Sequence, residues 1–266
     1  MRLTIAHTTQ YRYDHPVQYA LQQLRLTPKS RAGQAVVSWD IHVDGGREEL
    51  EYDDHHNNRV ALVSFGDGRT EISIRCEGIV ETADNSGVVG AHGGYAPLWL
   101  FLRSTPLTRA GNNVRKLARQ AAGDHSGDLE KLHALSRLIG ETVLWETGYT
   151  HSATTAEEAI DHGRGVCQDH AHVFVAAARA LGIPARYVSG YLMMDDRVEQ
   201  DASHAWAEAH VDGIGWIGFD VSNGISPDER YVRVATGLDY TEAAPISGLR
   251  LGESPERMLV TLQVQQ

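Results

Sequence analysis

The stretch GVCQDHAHVFVAAARALGIPARYVSGY, from Gly165 to Tyr191, carries the residues best placed for chemistry. Cys167 follows Gly163-Arg164-Gly165-Val166, and glycines let a chain turn sharply into a helix. Ala171, Phe174, Val175, Ala178 and Leu181 recur at helical spacing, which predicts a helix buried on that face with Cys167 in its first turn. Gly182 supplies a stop and Pro184 prevents continuation. The start of a helix has unpaired N–H groups and partial positive charge, which favour thiolate over thiol. The backbone N–H of Cys167 can also hold an oxyanion as a carbonyl is attacked. A cysteine on a buried helix face is often only packing, so Cys167 needs partners to become a nucleophile.

Two downstream residues supply them. His204 lies in the strand-like SHAW, and Asp220 ends the apolar run Trp216-Ile217-Gly218-Phe219. A thiol nucleophile needs a base to ionise it and a carboxylate to orient the base. With 14 histidines in the chain, a lone histidine means little; its place between the cysteine helix and Asp220 singles out His204. For His204 and Asp220 to share a sheet face, paired residue numbers must sum to an even value. A two-residue turn at Asp212-Gly213 would pair Val211 with Ile214 and put the two on opposite faces. The triad therefore predicts a three-residue connection or a bulge near Asp212–Ile214. Glu208 is the alternative acid, but it could instead pair with Arg186.

Other clusters are weaker. Asp169, His170 and His172 crowd Cys167, yet positions 167, 169 and 170 do not share one helix face, so no metal site is expected. His55-His56 reads as a solvated turn and Cys76 as core. Asp53, Asp54, Asp195 and Asp196 lack calcium-loop spacing. No phosphate-binding glycine motif is present, and no cofactor is expected.

The elements that must position these residues divide the chain. The first part alternates with period two. Val37, Trp39, Ile41 and Val43 line one face, and Ile72, Ile74 and Cys76 another. Gly45-Gly46 and Asn57-Asn58 mark turns, and Asp67-Gly68 predicts a hairpin between Arg59–Phe65 and Arg69–Val80. Residues 1–85 are expected to form a small sandwich-like β domain, 86–95 a glycine-rich linker and 96–266 the core. Val114, Leu117, Ala118 and Ala121 form a helical stripe. Leu129, Leu132, Leu135, Ile139 and Val143 form another, with Asp128 as its cap. Thr155 and Glu158 have capping-box spacing. Ala185–Leu192, Ser203–Val211 and Ile214–Asp220 read as strands, so the fold class is α+β with an antiparallel sheet.

The net charge of −11 argues against nucleic acid and against an anionic membrane surface. No apolar run reaches the ~18 residues of a membrane span, and MRLTIAHTTQYRY lacks a signal-peptide core. Two distant cysteines do not make a disulfide framework. A cytoplasmic protein with free thiols is the expectation.

At these residues the sequence resembles the transglutaminase-like superfamily, in particular its bacterial two-domain members. YRYDHPV and HHNNRV resemble the N-terminal domain; GVCQDHAHVFVAAARALGIPARYVSGY, SHAWAEAHV and GWIGFDVSNG resemble the core; YVRVATGLDY and APISG resemble a downstream segment. The resemblance implies a papain-like core, Cys167 as nucleophile, His204 as base and Asp220 as orienting acid. It implies chemistry on a peptide or carboxamide bond through a thioester. Trp145 and Tyr149 are candidate side-chain oxyanion donors, and Gln168, His170, Tyr187, Trp206 and Asp239 candidate substrate contacts. The chain departs from the family at His170 (often Phe), at Val221-Ser222 (often Pro-Thr) and at Leu238 (often Arg). Hydrolysis of a peptide, protein or amide-bearing small molecule is the expected outcome. The alternatives are transfer to an amine, or a binding scaffold without turnover.

Overall fold

A computed structural model describes residues 1–252 and 254–266. Its N-terminal half is built on two long antiparallel strands, β1 (Arg2–Thr27) and β4 (Arg59–Thr82). The pairs β2 (Gln34–Asp44) and β3 (Gly46–Asp53) lie against opposite ends of β4, with Gly45 turning the corner at a φ of +86°. The expected hairpin at Asp67-Gly68 does not form. Both flanks pair with β1, so the Asp-Gly step is absorbed where the β1–β4 register shifts between Val17 and Tyr19. Residues from both halves of these strands, Tyr11 and Leu24 in β1, Val63 and Ile74 in β4, close on one apolar core. A bulge between Val36 and Ser38 resets the alternation of β2, which leaves Val37 exposed while Trp39, Ile41 and Val43 pack inward.

The second half is helices, then a sheet. Helices α1 (Asn112–Ala122) and α2 (Asp128–Thr142) bury the expected stripes. Gly127, not Asp128, is the cap of α2; Asp128 instead pairs with Lys131 at 2.9 Å. The capping box of Thr155 and Glu158 opens α3 (Ala156–His162) as expected. Strands β6 (Leu144–Trp145) and β7 (Arg164–Gly165) pair in parallel just before α4 (Cys167–Ala180). Almost every side chain of α4 from Asp169 onward is buried, so its apolar face is nearly its whole circumference. It packs on β8 (Ala185–Leu192), β10 (His204–Val211) and β11 (Gly215–Phe219). β12 (Tyr231–Gly237) and β5 (Val88–Gly90) complete that antiparallel sheet, in the order β12-β8-β10-β11-β5. Helix α5 (Tyr240–Ala243) follows β12.

Strand pairing crosses the expected boundaries at residues 85 and 96. β5, in the expected linker, is an edge strand of the second sheet. The last strands, β13 (Ile246–Leu251) and β14 (Glu256–Gln265), return to pair with β1. β14 also pairs with the short β9 (Glu199–Gln200). Leu3, Ile5, Val80, Leu262 and Val264 then share one apolar cluster with Tyr191, Val232 and Val234 of the second sheet. The amide of Asn58 clamps Thr236 through both its backbone groups, and Gln34 does the same to Arg233. The sequence places residues 246–265 with the core because no local pattern reports which sheet a strand will join. No helix among the described residues is long and apolar enough to cross a membrane.

A fragment of residues 96–266 keeps β13 and β14 but removes β1, to which they pair. It is expected to lack a cooperative thermal transition that the full chain shows in circular dichroism. A monomeric fragment that melts cooperatively would show that the division at residue 96 is physically real.

Candidate active site

Cys167 is the first residue of α4, preceded by the extended Val166. Asp169 organises this start: its Oδ2 accepts from Val166 N and from Thr150 Oγ1, both at 2.7 Å. A Cβ on Gly165 would lie 2.6 Å from that oxygen, so only glycine allows the carboxylate so close. Sequence reasoning weighed Asp169 only as a metal ligand. An acidic residue three places after the cap was the available signal.

His204 opens β10, and the β10–β11 register pairs Val211 with Gly215. The connection is therefore the three residues Asp212-Gly213-Ile214, the length expected from the sequence. Gly213 takes a φ of +80° there and Ile214 N donates to Val211 O at 3.1 Å. Even pair sums put His204 and Asp220 on one face, and Nε2 of His204 lies 2.7 Å from Oδ2 of Asp220. The other ring nitrogen, Nδ1, is left for Cys167. Burial alone would lower the imidazolium of His204, but hydrogen bonds to Asp220 and to Cys167 outweigh it and raise its pKa to about 10.

Asp220 is fully buried. Its Oδ2 also accepts from Asn223 Nδ2 and Tyr231 OH, each at 2.7 Å, and its Oδ1 from Asn223 N at 3.3 Å. Burial would raise its pKa, yet the bond from His204 and those from Asn223 and Tyr231 hold it below the ordinary value. Asn223 and Tyr231 were missed from the sequence, since nothing local marks a tyrosine on β12 as a partner of Asp220. The alternative acid is engaged elsewhere: Glu208 accepts from Arg186 at 2.6 Å and Arg233 at 2.8 Å.

The candidate substrate contacts separate. Trp206 is buried, its ring 6.2 Å from that of His204 and edge-on to Tyr231 at 5.4 Å. Tyr187 is buried in a cluster with Ala171, Ala205 and Ala243 against which Cys167 packs. Gln168 donates to Ser152 O at 3.1 Å. Asp239 is buried, and its Oδ1 caps α5 through Thr241 N and Oγ1. A capping role, with a buried side chain, explains Asp239 better than contact with a substrate. His170 is likewise buried; its ring joins Val143 O at 2.7 Å and Ser222 Oγ at 2.8 Å. It therefore ties α4 to the loop after Asp220 rather than facing a ligand. Two departures from the family pattern thus bond to each other. Trp145 pairs with Gly165 two residues before Cys167, and Arg164 lies over the ring of Tyr149 at 5.0 Å. Both aromatics are exposed beside the loop that leads into α4.

His55-His56 is not wholly solvated. His55 is exposed, but His56 is buried with Nε2 2.7 Å from Glu242 Oε2. His55, His56 and Glu242 bring ligand atoms within 4.8 Å of one another. A hydrogen bond already accounts for the Nε2–Glu242 contact, and the group contains none of Cys167, His204 and Asp220.

Replacing His170 by Phe leaves Val143 O and Ser222 Oγ without their partner. H170F is expected to lose about 1–3 kcal/mol in urea denaturation. H170F combined with S222A should lose less than the sum of the two single variants; additive losses would show that the pair does not interact.

Two family profiles match the chain. The Transglutaminase-like superfamily profile covers residues 115–221, and the bacterial transglutaminase-like N-terminal region covers residues 3–81. An uncharacterized protein of Mycobacterium leprae is 27% identical over 99% of this chain and 98% of its own length. A protein-glutamine gamma-glutamyltransferase of Pseudomonas aeruginosa is 31% identical, over 34% of this chain and 15% of its own. A crystal structure of a candidate cysteine protease from Cytophaga hutchinsonii superposes with a TM-score of 0.79 at 24% identity, covering 100% of this chain and 91% of that one. That likeness establishes the shared fold.

Proposed function

This chain belongs to the transglutaminase-like superfamily, and we propose that within it the chain is a cysteine hydrolase of peptide or carboxamide bonds. The observation that carries the reading is the orientation of His204. Asp220 holds its Nε2 at 2.7 Å, which presents Nδ1 to Cys167 at the start of α4.

The proton of the Cys167 thiol rests on His204 Nδ1, as a thiolate–imidazolium pair, and the sulfur adds to the carbonyl carbon. The oxyanion that forms faces the backbone N–H of Cys167, with Trp145 or Tyr149 as side-chain donor. The C–N bond then breaks, and the leaving nitrogen takes the proton from His204. Water attacks the resulting thioester, giving up a proton to His204. The carboxylic acid leaves and the proton returns to sulfur. Asp220 stays ionised throughout, fixes the ring tautomer and stabilises the imidazolium. Transfer to an amine uses the same intermediate with an amine in place of water. The relative from Pseudomonas aeruginosa, a protein-glutamine gamma-glutamyltransferase by name, supports keeping that second reading.

Cys167 is expected to react with iodoacetamide near pH 6, and His204→Ala should abolish this labelling without affecting Cys76, which is buried. Equal labelling of the two proteins would rule out activation by His204. Incubation with cell extract, followed by mass spectrometry of the Cys167 peptide, reports the acyl group. Adding a primary amine separates the two fates: free acid marks hydrolysis, and an amide of the added amine marks transfer.

The pH profile follows from His204. Its pKa of about 10 keeps the imidazolium present through neutral pH, with loss only as pH rises toward that value. Asp220→Asn removes the negative charge that helps raise it, so the alkaline limb of kcat/KM should move to lower pH. Activity should fall roughly 10²–10⁴-fold. An alkaline limb unmoved in D220N would separate Asp220 from the titration of His204.

A further inference from the structure

A second group of charges lies on the same face of β10 as His204, beneath the N-terminal sheet. Glu208 is buried and accepts from Arg186 and Arg233. Arg186 in turn stacks over Trp216 at 3.9 Å. Burial would raise the carboxyl of Glu208, but Arg186, Arg233 and Arg31 hold it down at about 2. The carboxylate is thus permanently charged, and two arginines already use it.

Arg31 is the third cation of this group. It sits in the turn between β1 and β2, where its backbone pairs with Gln34 in both directions. Among the described residues its guanidinium has no hydrogen bond and no carboxylate within ion-pair distance, although Nη1 is sealed from solvent. Arg31 is half-buried: leaving the sealed Nη1 unpaired is costly, while Nε and Nη2, the rest of the planar five-donor fork, keep contact with solvent. Burial and the neighbouring Arg233 both weaken its hold on its proton, but it remains charged at neutral pH. The remaining acid nearby, Asp228, is already bidentate with Arg230.

Arg31, Arg233 and Glu208 line one cavity with Trp206, Tyr231 and Asp228. Its volume is about 70 Å³. One water needs about 10–15 Å³ of such space, so the cavity has room for a group the size of a carboxylate or a phosphate. Two arginines and two acids line its wall; Glu208 and Asp228 are each already paired, with Arg186 and Arg230 from behind, so Arg31 is the cation left over, and its guanidinium is of the type that grips planar oxyanions through two parallel bonds.

We infer that this cavity is an oxyanion site in which Arg31 binds a carboxylate or phosphate group. Arg233 reinforces the positive field, and Trp206 and Tyr231 line the same cavity. Those two residues are also the ones that stack on His204 and hydrogen-bond to Asp220. An anion held here rests against the supports of the triad without touching the reacting atoms. The site stands independently of the chemistry assigned to Cys167.

Acetate and inorganic phosphate are titrated separately into the full-length protein, with sodium chloride at matched ionic strength as control. Binding is read by calorimetry and by thermal unfolding. At least one of the two anions should raise the melting temperature beyond the chloride control, and which one it is distinguishes a carboxylate ligand from a phosphate ligand. Arg31→Met should weaken that anion at least tenfold. Arg31→Lys should retain an intermediate affinity, because it keeps the charge and loses the fork. Without anion, R31M should melt no lower than the parent chain, since it removes an unpaired charge; this keeps the comparison free of a folding defect. Equal anion affinity in R31M and the parent would overturn the assignment, as would no response to either anion beyond chloride.

Discussion

The carboxylate of Asp220 has no access to water, and the second half of the chain converges on satisfying it. His204 comes from β10, Tyr231 from β12 and Asn223 from the loop after β11. A buried carboxylate without donors would be protonated rather than charged. The bonds from these three residues therefore keep it ionised and make the registers of three segments mutually dependent. From that follows the orientation of His204: with Nε2 committed to Asp220, only Nδ1 can face Cys167. The three-residue connection Asp212-Gly213-Ile214 is the geometric condition for all of this, since one residue fewer would turn Asp220 to the other face.

The start of α4 is prepared separately. Asp169 ties Val166 to Thr150, and Gly165 makes room for it. The burial of α4 on nearly every side means that Cys167 cannot move without moving the core. Cys167 and His204 thus sit on two rigid elements. The contacts between β10 and α4 run through alanines, Ala207 and Ala209 on the strand and Ala176 to Ala178 on the helix. Small side chains there let the two approach closely.

The N-terminal sheet is not an appendage. β13 and β14 cross back to β1, so both ends of the chain close on one sheet. Asn58 and Gln34 pair with the exposed backbone of β12 as a neighbouring strand would. β12 carries Tyr231, so the sheet that looks remote from the chemistry braces a donor to Asp220. It also brings Arg31 over Glu208, where a second charged group forms.

Much of the site was legible along the chain. The order of Cys167, His204 and Asp220 and the helix stripes and stops all rest on periodicity and on residue types within one element. The odd length of the connection after Val211 rests on the parity of one hairpin. The sequence by itself determined these because the stripes, stops and hairpin parity depend on neighbours a few residues apart and the order of the three residues can be read directly along the chain. Tertiary structure alone decided that the strand from Arg59 runs through Asp67-Gly68 and that the last strands belong to the first sheet. It likewise set His170 against Ser222, Tyr231 on Asp220 and Arg31 without an anion partner. Strand pairing and charge burial are contests among segments far apart in the chain, settled by which faces can be covered at once, and no local pattern records their outcome.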